Sequence, residues 1–227
     1  MIIPKIYNDI NRLSIHLLIA GTTGSGKSTT LHGLITDLLL SEDPPLFAFI
    51  DLKRIEMIEY KRMRNTIAYA DTAEQAMKLL QHIQNIMNNR YKRMMKRREK
   101  ESQERRIYLI IDEYAELFIN TKKQCVPLVQ SILQLGRAAG IHCIVATQSP
   151  KADILNSNIK ANITSVLALR TRSAQDSRNI IGFPGAEKLP DLYGWGIFSN
   201  PKLLNPLTVK LPQVDDDERM KLIKRYY

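Results

Sequence analysis

A chain of 227 residues that is 44% hydrophobic and 25% charged has the size and composition of one α/β domain, which excludes a disordered tail, a fibrous repeat and a pair of full-size domains. Its 33 Lys and Arg against 23 Asp and Glu give a net charge of +10, the balance expected of a protein with a polyanionic partner. No run approaches the roughly 20 apolar residues of a membrane helix, and residues 1–5 lead into no signal-peptide core, so the chain is expected to be soluble, cytoplasmic and free of membrane contact.

Residues 1–14 read as an N-terminal edge segment. The first strand is expected at residues 15–20, followed by a helix over 28–40. Further apolar runs of strand length lie at 46–50, 107–111, 142–146, 165–169 and 195–198. They are continuously apolar, as parallel strands buried on both faces are, and the helical stretches between them serve as crossovers. The prediction is an α/β fold with a mostly parallel central sheet flanked by helices. The clearest helix is expected to open at Asp71, with Glu74 completing a capping box, and to turn Ala76, Met77, Leu80, Ile83, Met87, Tyr91 and Met94 inward.

From Arg90 to Arg106, nine basic residues stand against three glutamates. This run is either a solvated helix end or a nucleic-acid contact. Cys125 and Cys143, each in an apolar run without a third thiol or a suitably spaced His, read as buried reduced thiols. Residues 214–227 form an Asp-rich, then basic tail, leaving 15–213 as the domain.

The segment Gly21-Thr22-Thr23-Gly24-Ser25-Gly26-Lys27-Ser28 fits the phosphate-loop pattern G-x-x-x-x-G-K-[ST]. It follows the first strand and opens a helix, with Thr29 next, so backbone N–H groups and a helix N-terminus converge on one anion site. Lys27 is expected to reach the β- and γ-phosphates of a nucleotide and Ser28 to ligate Mg²⁺. A second element, Ile110-Ile111-Asp112-Glu113, puts two carboxylates at a strand end. Asp112 is expected in the Mg²⁺ shell, and Glu113 where a general base polarises the attacking water. The Asp-Glu pair favours a hydrolysing ATPase over a switch GTPase.

The segment from His16 to Ser28 resembles the phosphate loop of the FtsK/SpoIIIE DNA translocases. The similarity continues through Phe49-Ile50-Asp51-Leu52-Lys53-Arg54, Ile111-Asp112-Glu113-Tyr114-Ala115-Glu116-Leu117, Gly136-Arg137-Ala138-Ala139-Gly140-Ile141-His142, Ala146-Thr147-Gln148 and Asp176-Ser177-Arg178. It spans about residues 15–198. The resemblance implies a RecA-like P-loop motor domain, assembled as a homo-oligomeric ring, usually a hexamer, around double-stranded DNA, with ATP between subunits. By the same resemblance Gln148 is a γ-phosphate sensor and Arg137 an arginine finger reaching the neighbour's site. Arg170, Arg172 and Arg178 are DNA-binding candidates in a segment facing the channel. Ser149 stands where the family has Arg, Leu52 where it has Pro, and Tyr193-Gly194-Trp195-Gly196 replaces G-x-G-D. The length accommodates the motor alone, with a loading protein as a further expected partner. The expected function is an ATP-dependent DNA translocase; a protein-secretion ATPase of the same superfamily and a nucleotide-gated binding module are the alternatives.

Overall fold

Short runs of Leu, Ile, Val and Ala without polar interruption are stable only where both faces are covered, and the chain builds its middle from them. The computed structural model describes residues 4–227. Eight strands, β1 (His16–Ala20), β2 (Leu46–Ile50), β3 (Thr66–Ala70), β4 (Ile107–Ile111), β5 (Ile141–Thr147), β6 (Ser165–Leu169), β7 (Trp195–Ser199) and β8 (Leu207–Lys210), form one sheet in the order β3-β2-β4-β5-β1-β6-β7-β8. The first six in that order are parallel; β7 and β8 are added antiparallel. Eight helices accompany them: α1 (Lys5–Leu13), α2 (Lys27–Leu39), α3 (Ala73–Arg97), α4 (Tyr114–Asn120), α5 (Val126–Leu135), α6 (Ser157–Asn162), α7 (Ala174–Ile181) and α8 (Asp216–Lys224).

Side chains alternate across the sheet, so each strand feeds two cores. Leu18, Leu109, Ile111 and Val145 pack beneath α3, α4 and α5, while Leu17, Ile19, Tyr108 and Ile110 pack with Leu31, Leu34 and Ile35 of α2. The terminal helices belong to this second core. Tyr7 and Ile10 of α1 and Ile223 of α8 are fully buried, and the Tyr7 hydroxyl donates to the Pro212 carbonyl at 2.7 Å. Gly33 lets α1 approach α2, since a Cβ there would lie 2.2 Å from Tyr7 Cζ. No helix among the described residues is long and apolar enough to cross a membrane.

Two expectations need correction. The long helix opens at Ala73, not Asp71: Thr72 is the N-cap, accepting from Gln75 N at 3.2 Å, and Gln75 Oε1 reaches back to Asp71 N at 3.0 Å. A hydroxyl and an amide close the box, whereas Glu74 pairs with Lys78 on the surface. Strands β3 and β8 were not expected. Both lie at the ends of the sheet and mix polar with apolar residues, so neither reads as a continuous apolar run.

The basic run divides. At 1.5 Å per residue, the 25-residue α3 is about 37 Å long, roughly twice a five-residue strand. It enters at the sheet's carboxyl edge and overshoots the amino edge. There Arg90 is buried and donates to the carbonyls of Ala139 (2.8 Å) and Arg105 (2.6 Å). Arg93 makes a two-point contact with Glu104 at 2.8 and 2.9 Å, and Arg105 donates to the Pro44 carbonyl. Arg90 and Arg93 fasten the helix end to the loops before β4 and β5, and Arg105 ties the loop before β4 to the one before β2. Lys92, Lys96, Arg97, Arg98, Lys100 and Arg106 are exposed.

Buried imidazoles at the same edge set a pH limit. Burial, then the facing His142, lowers the His16 pKa to about 4; burial, then Arg106, lowers His142 likewise. His16 Nδ1 accepts from Cys143 N at 3.1 Å, so the ring is held neutral. The unfolded chain, titrating near 6.5, binds more protons between pH 6.5 and 4, and stability therefore falls as pH drops through that window. Each ring should cost on the order of 2 kcal/mol between pH 7 and 5. Urea unfolding at pH 7, 6 and 5 should show a falling midpoint, less steeply in His142→Phe. A flat midpoint would contradict this account.

Candidate functional site

β1 ends at Ala20 in the middle of the sheet, with β5 on one side and β6 on the other, and the chain turns back through residues 21–26 into α2. Gly24 and Gly26 adopt φ of 81° and 97°, conformations that a side chain disfavours. A Cβ on Gly26 would also lie 2.9 Å from Gly194 N. The loop is braced on its far side: Thr22 N and Oγ1 donate to the Arg170 carbonyl at 2.9 and 3.1 Å, and Gly194 N donates to the Ser25 carbonyl. The N–H groups of Gly24, Gly26, Lys27, Ser28 and Thr29 donate to no backbone carbonyl among the described residues, so they and the start of α2 form a cradle suited to an anion.

Lys27 is buried, and its ammonium donates to Asp112 Oδ1 at 2.6 Å and to the Asp112 carbonyl at 2.9 Å. The phosphate loop and the end of β4 thereby share one site. Ser28 and Asp112 supply a hydroxyl and a carboxylate, the hard oxygen donors that suit Mg²⁺, and Lys27 engages only one of the two carboxylate oxygens of Asp112.

Glu113, the N-cap of α4, is buried. Its Oε1 accepts from Thr147 Oγ1 at 2.7 Å and Gln148 N at 3.0 Å; its Oε2 lies 3.1 Å from Gln148 N and 3.6 Å from Lys53 Nζ. Gln148 closes the chain of contacts, because its Oε1 accepts from Thr23 Oγ1 of the phosphate loop at 2.7 Å. Beside these groups opens a cleft of about 480 Å³ lined by Thr23, Lys53, Glu113, Gln148, Arg172 and Asp176, among others.

The expected residues of the loop, Lys27, Asp112, Glu113 and Gln148 thus meet at the carboxyl edge of the parallel strands, where α/β sheets bind ligands. Arg137 does not. It is exposed in the turn before β5, and the seven residues of that strand separate it from Thr147 by roughly 20 Å. Its own site is out of reach. Arg170 is turned to the phosphate loop and ion-paired with Asp191, whereas Arg172 lines the cleft and Arg178 is exposed on α7. Lys53 and Thr147 were not expected. Each follows or ends an apolar run flanking β4 and lies in a segment that carries the family resemblance, but neither signal gave it a role at the site.

Fold and site together define a P-loop nucleotide-binding domain. The FtsK/SpoIIIE family profile matches residues 3–105 and 94–152, and the chain belongs to that family. It is 37% identical over 196 residues to the DNA translocase FtsK of Staphylococcus aureus (strain Mu50), covering 77% of this chain and 25% of that protein. Against the DNA translocase FtsK of Chlorobaculum tepidum it is 33% identical over 228 residues, covering 89% of this chain and 28% of the relative. The chain therefore spans about a quarter of the length of the curated relatives it matches. Among solved structures, the pCW3 conjugation coupling protein TcpA, in its monomer form with ATPγS, superposes with a TM-score of 0.82 at 24% identity, over 96% of this chain and 66% of that one. The cytoplasmic domain of the Type VII secretion ATPase EccC of Thermomonospora curvata gives 0.74 at 22% identity, over 93% and 27%. At these identities the likeness is one of fold.

Proposed function

We propose that the chain is an ATP-driven motor that translocates double-stranded DNA, working in the cytoplasm as a homo-oligomeric ring, a hexamer, with a separate protein loading it. The observation that carries the ATPase half is the continuous contact chain from the phosphate loop through Gln148 to Glu113. The DNA half is supported by family membership and the +10 charge.

In this reading the cradle N–H groups and Lys27 hold the β- and γ-phosphates. Ser28 and Asp112 would hold Mg²⁺, which would supply charge neutralisation on the phosphate oxygens. Glu113 takes a proton from the water whose oxygen bonds to the γ-phosphorus, and the bond from that phosphorus to the bridging oxygen of ADP breaks in line. Gln148 registers the γ-phosphate through its own side chain and passes the change to Glu113 through its backbone. Arg137, too far from its own site, serves the neighbour's. Arg172 and Arg178 contact DNA phosphates, with little sequence preference.

The test is displacement of a third strand annealed to a linear duplex. ATP should drive displacement and a non-hydrolysable analogue should not; ATP hydrolysis with no displacement would overturn the motor reading. A second result follows for the DNA contacts. Arg172→Ala/Arg178→Ala should raise the duplex concentration giving half-maximal ATPase stimulation at least about tenfold and reduce the salt slope of binding by about two phosphate contacts. Unchanged DNA affinity in a salt titration would place the contact elsewhere, the exposed end of α3 being the next candidate.

A further inference from the structure

Lys53 reaches the cleft from a turn that is braced on both flanks. Asp51, directly after β2, is fully buried; its Oδ2 accepts from Met57 N at 2.9 Å and the Tyr69 hydroxyl at 3.1 Å, and its carbonyl accepts from Arg54 N at 3.2 Å. Arg54, in the left-handed region at φ 60°, donates Nε to the Asp71 carbonyl. The turn is therefore tied to β3 and to the start of α3, and Lys53 projects from a fixed base. Among the described residues its one ion-pair partner is Glu113.

Glu113 is gripped from the other side by Thr147 and Gln148, both from the end of β5. Strands β2 and β5 flank β4, so the carboxylate stands between a cation from one neighbour strand and two neutral donors from the other. At 3.6 Å the ammonium pairs with Oε2 without a direct hydrogen bond, and Oε2 accepts from Gln148 N at 3.1 Å, which leaves that oxygen a second lone pair for a water proton. With a side chain 36% exposed against 6% for Glu113, Lys53 faces the cleft while the carboxylate remains enclosed.

We propose that Lys53 is a positioning residue for hydrolysis: its ammonium holds Glu113 Oε2 toward the cleft in the orientation that receives the proton of the attacking water. The proposal rests on the ATPase reading given above. Lys53 itself transfers no proton; the water proton goes to Glu113, and the ammonium is unchanged over the cycle. A 1 Å misplacement of a reacting group costs up to about a hundredfold in rate, so an unanchored carboxylate should lose a good part of that.

The experiment is steady-state ATPase on Lys53→Met, Lys53→Arg, Glu113→Gln and the double variant Lys53→Met/Glu113→Gln, with fluorescent ATP binding and circular dichroism on each. Lys53→Met should lower kcat about tenfold with KM for ATP and ATP affinity within about twofold. Lys53→Arg should recover most of the loss. The double variant should be no slower than Glu113→Gln alone, because Lys53 acts through that carboxylate. Unchanged kcat in Lys53→Met, or a change in KM alone, overturns the proposal. So does a double variant in which the two losses multiply, which would put Lys53 on the phosphate directly. A wild-type chain without turnover overturns the ATPase reading as well, whereas turnover in the wild type with an insensitive Lys53 overturns this inference alone.

Discussion

Glu113→Gln should bind ATP within about twofold of the wild type and hydrolyse it about 10² to 10⁴ times more slowly, the range that a positioned general base contributes. The substitution preserves size and leaves one carbonyl oxygen to accept from Thr147 Oγ1 and Gln148 N, the donors that hold the native side chain. Lys27, Ser28, Asp112 and the cradle N–H groups are untouched, so the phosphates keep their partners. What is lost is the proton acceptor. Lys27→Ala provides the contrast: it removes the ammonium that joins the phosphate loop to Asp112 and should weaken ATP binding as well as turnover. Equilibrium binding of a fluorescent ATP analogue beside single-turnover hydrolysis separates the two. Near wild-type turnover in Glu113→Gln would remove the carboxylate from the mechanism.

The second large effect concerns Arg137. Roughly 20 Å of strand separates it from the site of its own chain, and its side chain is exposed at the opposite edge of the sheet. If it completes a neighbour's site, Arg137→Ala should assemble and bind ATP yet turn over at least about a hundredfold more slowly, as loss of an arginine finger does. Mixing this variant with Lys27→Ala should restore part of the activity, since some interfaces then pair an intact phosphate loop with an intact Arg137. Rescue can arise only across a subunit boundary. Mixed assemblies that contain both variants and remain inactive would contradict the assignment.

What the sequence made legible follows from burial. The central strands β2, β4 and β6 have the expected limits because a strand covered on both faces must be apolar throughout. β3 and β8 escaped because edge strands carry Thr, Tyr and Lys among apolar residues, which is also how a loop reads. Thr72 and Gln75 show the same limit at finer scale, since one polar residue either way makes an equally acceptable capping box. At the site, the phosphate loop and the Asp112-Glu113 pair could be read because their chemistry is local, a turn and a strand end. Lys53 and Thr147 could not be. Their meeting at Glu113 depends on β2 and β5 lying on either side of β4, and strand order is set by packing over the whole sheet. Arg90 is the converse case: its charge is plain in the sequence, yet three backbone carbonyls and Glu104 enclose it.

The measurement that bears most directly on the motor reading is steady-state ATPase of the intact chain with and without linear duplex DNA of increasing length. A motor that spends one ATP per step along the duplex hydrolyses faster on DNA, and faster on long duplex than on short, because time on the track lengthens between end encounters. The account predicts stimulation of several-fold or more that rises with duplex length, falls steeply with added salt and is absent in Lys27→Ala. Hydrolysis at the same rate with no DNA, short duplex and long duplex would contradict it.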